Sequence, residues 1–270
     1  MNPKLCKFLC TLLMATTYGL LFSQETAGGS VFYERTRLLS WEQREKEAVD
    51  EFSAGNYPDF LTKWERVETI QSDANGAERS VVFFVSPDYV AVGDNHDYFT
   101  IPLTPMASTT IARMLGASLP TPKVVDLVYK ASRLKLEPFN YIPRGDRNTT
   151  PDLLYEHSKV IQAQAKAAGF QPGVFVAGVK KDVVVSAKLA DPARQKHVII
   201  YGWHRLDGKP IQPEYNGHVN WYVDYSHGTR LVNNRVMIDG VEYDYQSVLK
   251  DELLHTLLSY DKEPLSRTEY

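Results

Sequence analysis

Between Tyr201 and Arg230 the chain gathers His204, His218 and His227, three of its seven histidines, together with Asp224, Trp203, Trp221 and four tyrosines. The segment reads Tyr-Gly-Trp-His from Tyr201, then Gly-His-Val-Asn-Trp-Tyr-Val-Asp-Tyr-Ser-His-Gly-Thr-Arg from Gly217. Imidazoles and carboxylates at this density suit two chemistries: metal ligation, and proton transfer during hydrolysis.

A zinc site would take neutral imidazoles and a carboxylate, keep one position for water and lower the pKa of that water. Spacing limits that reading. On one straight strand His218 and Asp224 would share a face but lie roughly 20 Å apart, too far for one ion unless the chain bends between them. His204 and His218 flank a Gly- and Pro-containing loop, Arg205–Gly217, and would meet at its mouth if the flanking strands pair. They are the expected zinc ligands. The chain has neither the His-x-His nor the His-Glu-x-x-His pattern of well-defined zinc sites.

The acid/base reading rests on Asp224-Tyr-Ser-His-Gly228. A nucleophilic Ser226 served by its neighbour His227 is disfavoured, because adjacent residues of an extended chain point to opposite faces. Asp224 or His227 acting as a general base fits better, with Arg230 placing an anionic group of the substrate. The competing view makes His227-Gly228 the tip of a hairpin, where Gly supplies a positive φ and His227 is an exposed turn residue. Adjacent Lys180 and Lys181 in a strand point to opposite faces, so one faces the buried side and needs a partner, or both decorate a solvated edge. His96 falls in a polar surface turn, and His157, His197 and His255 receive no role.

The expected catalytic set is therefore His204, His218, Asp224 and His227. Lys181, Trp203, Tyr222, Ser226 and Arg230 are the expected substrate contacts. A non-catalytic alternative has Trp203, Trp221 and the tyrosines stacking on sugar rings or peptides.

The elements that must position these residues follow from periodicity and turn chemistry. Helices are expected over Leu38–Phe52, from Thr104-Pro105 to about Gly116, over Lys123–Arg133, over Asp152–Ala168 and over Ser247–Leu258. Strands are expected over Trp64–Ile70 and Arg79–Val92, and from Gly173 to Tyr245 the pattern is strand-like almost throughout. Asp239-Gly240 is a two-residue hairpin signal. Mixed strands and helices, then a C-terminal antiparallel β-meander and a closing helix, without regular βαβ alternation, indicate an α+β domain over 37–270.

Ahead of that domain, residues 1–23 carry Lys4 and Lys7, no acidic residue, and an apolar run of about 15 residues from Phe8, the pattern of a cleaved secretory signal peptide. Residues 24–36 are expected to form a linker. Cys6 and Cys10, the two cysteines of the chain, both fall in the leader, which excludes a cysteine nucleophile, a thiolate metal site and disulfides from residues 24–270. The net charge is −3, and loss of Lys4 and Lys7 with the leader takes it to −5. With no long basic run, neither nucleic acid nor a membrane surface is an expected partner. An extracellular polymer or peptide is.

Gly178–Asp182, Ile200–His204, Lys209–Pro213, Asp224–Leu231 and Leu119–Asp126 together resemble an uncharacterised family of secreted bacterial proteins. That resemblance covers most of the chain after the leader; it implies export and brings no reaction with it. Trp203–Gly208 is superficially similar to His-metal cell-wall endopeptidases, but the His204–Asp207 spacing departs from their pattern and their ligands are not carried over. The expectation is a secreted or periplasmic hydrolase of cell-wall peptide or glycan.

Overall fold

The computed structural model describes residues 27–142 and 145–270. The expected signal peptide lies outside the described residues. In chain order the helices are α1 (Gly29–Thr36), α2 (Trp41–Ser53), α3 (Pro105–Met114), α4 (Pro122–Ala131), α5 (Pro151–Ala167), α6 (Tyr245–Lys250) and α7 (His255–Leu258). The strands are β1 (Glu65–Ser72), β2 (Glu78–Val85), β3 (Ala91–Gly93), β4 (Tyr98–Thr100), β5 (Ala117–Ser118), β6 (Leu134–Lys135), β7 (Val176–Ala177), β8 (Lys181–Val183), β9 (Ile200–His204), β10 (Pro210–Tyr215), β11 (His227–Gly228), β12 (Val232–Ile238) and β13 (Val241–Asp244). The class is α+β. Among the described residues no helix is long and apolar enough to cross a membrane.

One sheet runs β1-β2-β12-β13 with β5 also paired to β12, and a second runs β10-β9-β8-β11. The apolar run Val81–Val85 makes β2 an interior strand, antiparallel to both β1 and β12. It ends at Val85 rather than near Val92, because Pro87 has no amide to continue a ladder. There the chain turns, with the Ser86 hydroxyl donating to the Asp88 carbonyl at 2.7 Å. At the β12–β13 hairpin, Asp239 (φ 49°) and Gly240 (φ 83°) both adopt the left-handed conformation that a two-residue turn of this kind requires. The strand-rich stretch after residue 173 divides between the sheets: β8, β9 and β10 are antiparallel neighbours, and β12 crosses to β2.

Helix starts obey capping chemistry. Ser40 closes a capping box with Gln43, and the Thr104 and Thr121 hydroxyls accept from the Ala107 and Val124 amides. The expected closing helix is two short ones, because the Asp251 carboxylate accepts from the Leu253 and Leu254 amides at 2.8 Å and interrupts the first. The expected linker over 24–36 is also corrected. Residues 29–36 form α1, whose Phe32 is fully buried in a core shared with Phe83, Phe99 and Leu103.

Candidate functional site

The bend that the histidine cluster needs is present. Val219–Tyr225 is no strand; its ladder is reduced to one bridge, His197 to Val219, after which the chain turns with the Tyr222 amide donating to the Val219 carbonyl. Asp224 closes the next turn. Its Oδ1 accepts from the Ser226 amide at 2.8 Å and from the Ser226 hydroxyl at 2.5 Å, and its carbonyl accepts from the His227 amide. These turns fold His218 back over His227, with ring centroids 6.5 Å apart, and stack His218 on Tyr222 at 4.4 Å.

His227 itself is in β11, which pairs in parallel with β8 so that His227 is opposite Lys181 and Gly228 opposite Asp182. The exposed-turn reading of His227 is thereby overturned: the residue is 1 % exposed. Gly228 is needed there for close approach rather than positive φ, since a Cβ on it would lie 2.7 Å from the Tyr89 ring and 2.8 Å from the Lys180 side chain.

Within this cluster the His227 Nε2 lies 4.0 Å from Asp224 Oδ1, beyond hydrogen-bond range, and neither ring nitrogen has a hydrogen-bond partner among the described residues. Burial holds the imidazole neutral and brings its pKa down to about 4, against the opposing pull of Asp224. Burial works against the Asp224 charge too, but His227, Lys181 and the two Ser226 hydrogen bonds outweigh it and hold the carboxyl down at about 2. The Tyr222 hydroxyl donates to Asp224 Oδ2 at 3.3 Å, and burial and that carboxylate push it up to about 12, so it stays a donor. Lys181 is partly exposed, with its ammonium 5.0 Å above the Trp203 ring. Trp203 has φ 58°, an uncommon conformation for a bulky residue, beside Gly202 (φ 103°) in β9. An ionised carboxylate, a neutral imidazole and a nearby ammonium can accept a proton, stabilise the resulting imidazolium and hold an anion.

His204 is elsewhere. His204 pairs with Pro210 at one end of β9, while the His218 carbonyl accepts from Val198 beyond the other end, an offset along the chain of roughly 20 Å. The zinc pair expected at a shared hairpin mouth is thus not brought together. Among the described residues no three His, Cys, Asp or Glu side chains are arranged to hold a metal ion. His204 instead directs Nε2 at Asp126 (2.8 Å) and stacks on Tyr129 at 4.5 Å, while the Tyr201 and Tyr260 hydroxyls donate to the same carboxylate at 2.9 and 2.8 Å. This second His–Asp arrangement borders a cavity of about 490 Å³ with Lys130, Lys135 and Asp207.

Three expected substrate contacts face inward: Trp203, 5 % exposed, packs in the core and has no face open for stacking on a ligand, and Arg230 and Ser226 are buried as well. Arg230 is buried against Tyr89 and donates to the Ser86 and Val176 carbonyls at 2.7 and 2.6 Å, so it joins the turn after β2 to β7 instead of meeting a substrate. Ser226 is equally enclosed, with its hydroxyl spent on Asp224. His218, Tyr222 and Lys181 are the partly exposed members of the cluster.

A buried polar layer supports the site from behind. Lys180, fully buried, donates to the Tyr225 carbonyl at 2.6 Å and contacts His157 Nδ1 at 2.9 Å. Burial lowers its pKa to about 7, opposed by Asp224 and Asp88. The Tyr89 hydroxyl donates to Asp182 at 3.0 Å. The lysine pair signalled one inward ammonium; His157 gave a signal too, for it shares the apolar face of α5 with Leu153 and Ile161. Asp126 gave none, being separated from His204 by 78 positions.

Comparison with protein families, with curated proteins and with solved structures returns no match.

Proposed function

We propose that the protein is a secreted or periplasmic hydrolase of cell-wall peptide or glycan, with Asp224 and His227 as its proton-handling pair. The observation that carries this reading is the buried, neutral His227 beside an ionised Asp224, with neither ring nitrogen hydrogen-bonded to the described residues. An imidazole in that state costs about 1–3 kcal/mol in unmet hydrogen bonding, a cost found where a group must stay ready to exchange a proton. His227 would deprotonate the attacking water, Asp224 would stabilise the imidazolium, and Lys181 with His218 would hold the developing oxyanion. Tyr222 would donate from the rim. The water oxygen bonds to the reacting centre as the scissile bond breaks, and the proton taken by His227 passes to the leaving group. The leader expected over residues 1–23 would deliver the chain to that polymer.

The test is incubation with purified peptidoglycan sacculi, measuring new amino groups for peptide cleavage and new reducing ends for glycan cleavage. Asp224→Asn should lower turnover at least a hundredfold while sedimentation with sacculi is unchanged. Equal turnover by the variant and the wild type would remove Asp224 from the mechanism. A second reading, non-catalytic binding, is favoured by Trp221, which is 55 % exposed and borders a small cavity with Trp41 and Tyr222. In that case Trp221→Ala, and not Asp224→Asn, abolishes retention by sacculi.

A further inference from the structure

On another face, a cavity of about 620 Å³ opens between α5, the segment Phe170–Val174 and the single-turn helix Asp59–Thr62. Its size is in the range of sites that enclose a small ligand. Phe60, Ile161, Phe170 and Val174 supply an apolar wall, Asn95, Gln162 and Gln171 a polar one, and Asp88 and Tyr98 are buried polar members of the lining.

Asp88 is 8 % exposed, on the loop that Pro87 forces after β2. Its Oδ1 accepts from the Tyr89 amide at 2.7 Å, which fixes the carboxylate, and among the described residues no donor is hydrogen-bonded to Oδ2. Burial pushes the Asp88 carboxyl up, opposed by the Tyr89 amide and the charges of Arg230 and Lys180; Arg230 also acts on Asp182 and Lys180 on Asp224, so neither cation belongs to Asp88 alone. A buried carboxyl group in a cavity with an apolar wall selects a ligand that brings its own positive charge. The rim carries the opposite sign, with exposed Lys63 and Lys166. The cavity therefore combines a buried carboxyl group, an apolar wall and exposed ammonium groups.

We propose that this cavity binds a short apolar peptide or an apolar amino acid, its free α-ammonium group on Asp88, its side chains against Phe60, Ile161 and Phe170, and its carboxylate towards Lys63 and Lys166. This binding is independent of the hydrolytic reading of Asp224 and His227.

Calorimetric titration of the protein with Leu-Phe tests it. Saturable one-site binding is expected, weakened about tenfold or more when the ammonium is removed in N-acetyl-Leu-Phe, and weakened equally in Asp88→Asn. Loss of the ligand carboxylate, in Leu-Phe amide, should cost about threefold at most, because the rim lysines are in solvent. Ala165→Trp, which fills the cavity from α5, should abolish binding. Free phenylalanine distinguishes the sources: affinity as high as that of the dipeptide supports an amino acid as ligand, and lower affinity supports a peptide. The proposal is overturned if Leu-Phe shows no saturable binding, or if the N-acetylated form binds as well as the free one. That last comparison uses the wild-type protein and decides even if Asp88→Asn fails to fold.

Discussion

His227 makes the stability of the protein acid-sensitive by an amount the structure supplies. Buried without a hydrogen-bond partner among the described residues, it takes up a proton in the folded state only near pH 4, whereas the unfolded chain takes it up near 6.5. Between those values the unfolded chain binds a proton that the folded chain does not, so stability is complete above pH 6.5, falls as the pH drops towards 4, and levels below it. At about 1.4 kcal/mol per pKa unit, the loss assigned to this residue is roughly 3 kcal/mol. His157 is buried and neutral for the same reason, so the wild type alone cannot isolate His227. The comparison with His227→Gln can, since glutamine has no proton to gain. Urea denaturation followed by tryptophan fluorescence at pH 7 and pH 4 should show the wild type losing roughly 3 kcal/mol more than the variant over that interval. If both lose the same amount, His227 is not a buried neutral imidazole and the pairing with an ionised Asp224 is wrong.

Other substitutions separate support from chemistry. Gly228→Ala puts a Cβ against Tyr89 and Lys180, and denaturation should show a loss of about 1–3 kcal/mol; unchanged stability would contradict the close contact of β11 on β8. Arg230→Met leaves the Ser86 and Val176 carbonyls without their donor and removes a buried cation that faces Asp88 and Asp182, an expected loss of about 3–5 kcal/mol. Lys181→Met, at a partly exposed position, should change stability by less than about 1 kcal/mol yet depress hydrolysis of sacculi, visible in product release per hour. Asp126→Asn weakens the anchor shared by His204, Tyr201 and Tyr260, at about 1–3 kcal/mol, and should leave that hydrolysis unchanged.

What could be read without the structure was what local chemistry decides. Thr104-Pro105 marks a helix start because cap and proline act within one turn, and Asp239-Gly240 marks its hairpin because two residues carry the whole geometry. Alternation and capping do not encode which distant segments pair. The parallel contact of β11 with β8 places His227 inside instead of at a turn tip, and nothing near Gly228 announces it. The same contact separates the lysine pair, with Lys180 inward on His157 and Lys181 outward over Trp203. His204 looked like a partner for His218 because the two flank a Gly- and Pro-containing loop, yet the histidine that reaches the site is His227, carried there by a bend that Asp224 and Ser226 build from their own side chains.

The most direct measurement of the central claim is cleavage of sacculi in water enriched in ¹⁸O, with the released fragments weighed by mass spectrometry. A hydrolase using Asp224 and His227 incorporates one ¹⁸O for each bond broken, and His227→Gln, folded at pH 7, yields labelled product only at the background of sacculi alone. Product from the wild type without the label, or equal labelled product from the wild type and His227→Gln, would contradict the account.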